Sequence, residues 1–101
     1  GFPLRRAAKV DANHQEIVTE FKMRGCAVLS LAPMGRGIPD LLVAFGGVTW
    51  LVEVKGPKGK ETEDQQKFAL QWTGCRAIVR DKQGVKDTVE IMIAQMVKLR
   101  A

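Results

Sequence analysis

"IPDLLVAFGGVTWLVEVKG", residues 38–56, is apolar almost throughout and charged only near its ends, with Asp40 on one side and Glu53 and Lys55 on the other. Leu41–Phe45 and Val48–Val54 are β-prone runs, and the Gly46-Gly47 pair between them reads as a two-residue hairpin turn. Counting outward from that turn opposes Phe45 to Val48, Ala44 to Thr49, Val43 to Trp50, Leu42 to Leu51 and Leu41 to Val52. One step further, Asp40 meets Glu53. Strand alternation sets Lys55 on the same face as Glu53, with Val54 pointing away.

Two directly opposed carboxylates repel each other. Three readings are open for them. Lys55 can neutralise one acid at a solvated strand end, a surface pair of little energetic weight. The acids can share a proton for acid–base work, which the adjacent ammonium disfavours. Or they can hold a hard divalent cation such as Mg²⁺, which takes oxygen ligands and tolerates Lys55 when phosphate also arrives. The apolar runs behind the acids and the Gly/Lys/Arg loops around them favour the cation. A β-bulge would shift the pairing by one residue.

Working outward, Val10 to Arg24 has helical periodicity, with Val10, His14, Ile17, Val18 and Phe21 on one face and Gly25 as its stop. Cys26 to Ala32 is a short apolar run between Gly25 and Pro33, read as a strand. "PMGRG", residues 33–37, is a mobile basic loop by composition. After the hairpin, "GPKGKE" is a Gly/Lys loop, and Thr62 opens a second helix with Gln65 in capping-box spacing and Glu63 and Asp64 in the first turn. That helix is expected to reach about Trp72 and to stop at Gly74. Arg76 to Arg80 reads as a fourth strand. Lys86 to Leu99 reads as a last helix with Val89, Met92, Ile93, Met96, Val97 and Leu99 on its apolar face. The order α-β-β-β-α-β-α predicts an α/β fold, a mixed sheet flanked by helices.

At 101 residues the chain is long enough for one modest core. No apolar run approaches the length of a membrane span, and Gly1-Phe2-Pro3-Leu4 lacks the features of a secretory leader. Residues 1–9 are expected to be a basic arm, in part a cloning remnant, ahead of a single domain over residues 10–101. Cys26 and Cys75 fit no zinc spacing and are expected to be buried free thiols in a reducing cytoplasm. The formal net charge of +5 favours a polyanionic partner, nucleic acid first and an acidic membrane surface second.

"PD" at 39–40 followed about a dozen residues later by "EVK" at 53–55 resembles the signature of the PD-(D/E)XK nucleases. The wider text, "GIPDLLVAFGGVTWLVEVKGPKGKETEDQQKF", is similar to the VRR-NUC (virus-type replication-repair nuclease) domain. Domains of that family read G-x-P-D-x-x-V, then E-V-K, then a Ser/Thr-x-x-Gln helix start. "AIVR" at 77–80 resembles the family's later strand, and the likeness runs from the first helix to about Val89.

The resemblance implies a restriction-endonuclease-like core and a metal-dependent DNA phosphodiesterase using Mg²⁺ or Mn²⁺. Carried over, Asp40 and Glu53 become carboxylate ligands, and the backbone carbonyl of Val54 a further one. Lys55 aligns the attacking water and offsets charge on the phosphate. Gln65 matches the family's helical glutamine, although a capping box uses Gln there with no chemistry involved. The departure lies in the first helix, where similar domains carry an inward Glu. Here His14 takes that slot, either as a metal ligand or as a hydrogen-bonded core residue, and Glu16 falls on the outer face.

Arg36, Lys58 and Lys60 flank the acids in sequence and are candidate phosphate contacts, which position DNA without reading sequence. The alternative is solvated loop charge. Nothing resembles a base-reading helix or zinc finger, so the expected target is branched or duplex DNA, Holliday junctions included, in phage or bacterial recombination and repair. Ile91 and Ala94 lie off the main stripe of the last helix. This is either a wide core face or, as small members of the family imply, a homodimer contact. The rival functions are a DNA-binding module of the same fold without catalysis and a purely structural interaction domain.

Overall fold

The computed structural model describes residues 2–101, with side chains from Asn13 onward. Helix α1 spans Phe2–Met23, followed by β1 (Ala27–Ser30), a 3₁₀ turn (Ala32–Met34), β2 (Leu41–Phe45), β3 (Val48–Val54), α2 (Glu63–Gln71), β4 (Arg76–Val79) and α3 (Lys82–Arg100). The side chains of the expected basic arm, and that of Val10, lie outside the described residues. The four strands form one mixed sheet in the order β1-β2-β3-β4, antiparallel except for the parallel β3–β4 pair.

The hairpin has the expected register from Phe45↔Val48 to Leu41↔Val52. Gly46 and Gly47 take φ of 57° and 88°, the left-handed values a two-residue turn needs to match strand twist. Alternation then divides the sheet. Val43, Val52 and Val79 face the core, where Ile17 and Phe21 of α1 and Val85, Val89 and Met92 of α3 close over them. Ile17 and Phe21 are a turn apart and fully buried, each contributing about 1.5–3 kcal/mol by removal from water. Gly25 ends α1 at a φ of 93°, with Cys26 N–H donating to Phe21 O and Gly25 N–H to Lys22 O, the Schellman arrangement.

Helix α3 begins four residues before the expected Lys86, because Asp81 caps it by accepting from Gly84 N–H at 2.8 Å. Its core contacts differ from the expected face. Val85 and Thr88 are buried, whereas Ile93, Val97 and Leu99 are exposed. The helix is about 28 Å long at 1.5 Å per residue and stays on the sheet as far as Gln95, which accepts from Trp50 Nε1 at 2.8 Å, and Met96, which packs on the core, while Ile93 and Val97 lie on its flank. Of the two free cysteines only Cys26 is buried, and burial raises its thiol pKa. Cys75 is half-buried. Among the described residues no helix is long and apolar enough to cross a membrane.

Candidate metal centre and its basic rim

The side chains of Glu53 and Lys55 leave β3 on the face away from the main core, because the core-facing residues of that strand are Val48, Trp50 and Val52. Glu53 is only 3% exposed. Asp40 lies one residue before β2. Its Oδ2 accepts the Val54 N–H at 2.8 Å, which closes the open end of the hairpin. Strand geometry directs the C=O of a residue to the same side as its N–H. The Val54 carbonyl therefore faces Asp40, while the Lys55 N–H turns the other way to Val79 O on β4.

Burial pushes the Glu53 carboxyl up to about 8, the hydrogen bond and charge of the neighbouring Asp40 add to the rise, and Lys55 and Arg76 offset part of it. A carboxyl in this setting holds a proton at neutral pH unless another cation takes the place of the proton. The Lys55 ammonium is 3.9 Å from Glu53 Oε2.

Gln65 joins the parts. Its Nε2 donates to Glu53 Oε2 at 3.0 Å, and its Oε1 accepts from Lys55 Nζ at 2.7 Å and from Thr62 N–H at 2.8 Å. The Thr62 hydroxyl in turn accepts the Gln65 N–H, so the capping box forms in full. The two readings of Gln65 are thus not exclusive: one side chain caps α2 and touches both Glu53 of β3 and Lys55 just after it.

The "PMGRG" segment packs against the same helix start. Gly37 has a φ of 79°, and a Cβ there would collide with the backbone of Asp64 and Gln65. Arg36 is exposed on this loop, and Lys58 and Lys60 are exposed on the loop after β3. All three therefore border the elements that carry Gln65 and Lys55.

Helix α1 reaches the site through a residue that sequence reasoning missed. Asn13 Nδ2 donates to the Lys55 carbonyl at 3.0 Å. A lone Asn in a helical pattern gave no signal of this. His14 is half-buried beside it. Among the described residues no three His, Cys, Asp or Glu side chains meet as a metal-holding group, so His14 does not join Asp40 and Glu53 as a third. Arg76 and Arg80, on and just after β4, carry no sequence signal beyond that of strand residues. Arg76 pairs with Glu61, and Arg80 Nη1 donates to Gly56 O and Gly59 O.

The donor set suits a hard divalent cation. Two carboxylates and a peptide carbonyl offer only oxygen, the ligand type that Mg²⁺ and Mn²⁺ prefer. No family model matches this chain, and neither a curated protein nor a solved structure matches it at a significant level.

Proposed function

We propose that this chain is a Mg²⁺- or Mn²⁺-dependent endodeoxyribonuclease of the VRR-NUC type, a phosphodiester hydrolase acting on branched DNA such as Holliday junctions. The observation that carries the reading is the convergence of Asp40, Lys55 and Gln65 on the buried Glu53. The order of helices and strands around a mixed sheet supports a restriction-endonuclease-like core.

Asp40, Glu53 and the Val54 carbonyl would hold the cation. When bound, such an ion polarises a phosphoryl oxygen and lowers the pKa of its water toward neutrality. The chain supplies the rest. Lys55, fixed by Gln65, is a positive charge placed where the phosphate gains negative charge, and its N–H groups can orient the attacking water. Gln65 keeps Lys55 and Glu53 in register. Arg36, Lys58 and Lys60 contact phosphates, which makes binding responsive to DNA shape rather than to sequence.

The exposed Ile91, Ala94 and Val97, at i, i+3 and i+6 on the outer side of α3, fit a two-fold contact with a second copy. A dimer of cytoplasmic nuclease subunits suits a two-fold junction. The test of activity is incubation with labelled four-way junction and linear duplex, with Mg²⁺ or Mn²⁺ and with chelator. Metal-dependent cleavage of the junction is expected, and intact DNA under both metals contradicts the proposal.

A DNA-binding module without turnover is the second reading. It is favoured by α1 meeting the site through Asn13, with no third metal-ligating side chain joining Asp40 and Glu53 among the described residues. It requires DNA binding that survives Asp40→Ala and Glu53→Ala with no cleavage to lose.

A further inference from the structure

Residues 56–61 connect β3 to α2 and read as a loose Gly/Lys loop, yet they are tied down at two points. Arg80 Nη1 donates to the carbonyl oxygens of Gly56 and Gly59, both at 2.7 Å. Gly59 N–H donates to Gly56 O at 3.2 Å, closing the turn Gly56-Pro57-Lys58-Gly59 with proline at its favoured second position. One guanidinium nitrogen therefore grips both ends of the turn. The second tie is the Arg76–Glu61 pair, one residue before the Thr62 cap of α2.

Two consequences follow from this geometry. With its terminal carbonyls turned in toward Arg80, the turn presents Lys58 outward, and Lys58 is exposed. The turn also rests on the stem of Lys55, since a Cβ on Gly59 would lie 3.5 Å from Lys55 Cδ. A free loop of this composition would lose conformational entropy on gripping a ligand, and a turn already formed avoids that loss. The carbonyls that hold Arg80 are neutral, so its positive charge is not cancelled by these contacts.

We propose that Arg80 is a positioning residue that pre-forms the 56–59 turn as a phosphate-binding element, with Lys58 as the contacting group beside the reaction centre. The inference rests on the nuclease reading above. The turn binds a DNA phosphate adjacent to the one over Lys55, and Arg80 acts through the turn rather than on the DNA.

The experiment is a double-mutant cycle of Arg80→Gln and Lys58→Ala, read by salt titration of binding to a labelled four-way junction in chelator. Lys58→Ala is expected to lower the slope of log K against log salt by about 1 in the wild-type background. In the Arg80→Gln background it is expected to lower it far less, because the turn no longer presents Lys58. Equal losses in both backgrounds overturn the proposal, since charge removal alone is additive. Limited trypsin digestion judges the anchor without DNA: cleavage after Lys58 should be faster in the folded Arg80→Gln protein, and an unchanged rate overturns the anchor. Arg80→Lys, which keeps the charge and loses the planar fork, serves if Arg80→Gln does not fold. Should the wild type show no salt-sensitive binding, the DNA reading fails, while the digestion still decides whether Arg80 holds the turn.

Discussion

Gln65 stands between Lys55 and Glu53. It accepts from the Lys55 ammonium at 2.7 Å and donates to Glu53 Oε2 at 3.0 Å, while the two charged groups are themselves 3.9 Å apart. The same carbonyl oxygen receives the Thr62 N–H. The residue that caps α2 is thus also the spacer between the Glu53 carboxyl of β3 and the Lys55 ammonium just beyond it, and the start of the helix and the geometry of the site are fixed together.

Gln65→Leu should therefore cost on the order of 1–3 kcal/mol of stability, because it strips hydrogen bonds from two poorly solvated polar groups, the Glu53 carboxyl and the Lys55 ammonium. Gln65→Glu keeps the capping box and should retain more of the melting temperature. It places a third carboxylate at Glu53 and should still abolish cleavage. Thermal melts and junction cleavage on the two variants separate the capping role from the chemical one.

Asp40→Asn preserves an oxygen that can accept the Val54 N–H, so the fold should tolerate it. Asp40→Ala leaves that N–H without its partner, at a cost of about 1–3 kcal/mol. Both variants should lose Mn²⁺ affinity, measured by titration calorimetry. Equal melting points for the two would show that the Asp40–Val54 bond carries little stability.

The pH dependence follows from Glu53. Its folded pKa of about 8 lies above the ordinary 4.5, so the folded state holds a proton that the unfolded chain releases between those values. The stabilisation is complete below pH 4.5 and is lost as pH rises through about 8. The slope is at most about 1.4 kcal/mol per pH unit. Urea denaturation of the metal-free protein should show this fall, and Glu53→Gln should flatten it. Cation binding must displace the same proton, so Mn²⁺ affinity should rise with pH across the window.

Gly37→Ala tests the docking of the "PMGRG" loop on α2. The substitution combines a left-handed φ of 79° with a collision against the Asp64–Gln65 backbone. A loss of about 1–3 kcal/mol is expected in chemical denaturation. Gly35→Ala, where a Cβ meets nothing within 4 Å, should bear only the conformational part.

Ile91→Glu on α3 should convert a dimer to a monomer in sedimentation without lowering the stability of the monomer, because Ile91 is 50% exposed and adds little to the core. A wild-type protein that sediments as a monomer removes the dimer from the proposal.

Much of this arrangement was legible because local rules speak loudly at a few positions. Gly46-Gly47 determined the hairpin register, and with it the approach of Asp40 to Glu53. Thr62 and Gln65 determined the start of α2. What escaped depends on partners distant in sequence. Asn13 meets Lys55 only after α1 packs on the sheet, and Arg80 finds Gly56 and Gly59 only once β4 lies parallel to β3. Ile93, Val97 and Leu99 have the periodicity of a core stripe. Ile93 and Val97 each stand one position round the helix from Met92 and Met96, which pack on the core, so they lie on its exposed flank, and apolar spacing alone made the core stripe too wide. Gly84 hid the true start of α3 from propensity, since the Asp81 cap lies before it.

On the proposed function, Asp40 and Glu53 jointly hold a divalent cation. The most direct test is a crystal soaked in Mn²⁺ and measured at the manganese absorption edge. An anomalous peak is expected between the carboxyl oxygens of Asp40 and Glu53, within ligand distance of the Val54 carbonyl. A site that stays empty at saturating Mn²⁺, with the Glu53 carboxyl still bonded to Asp40, would contradict that function.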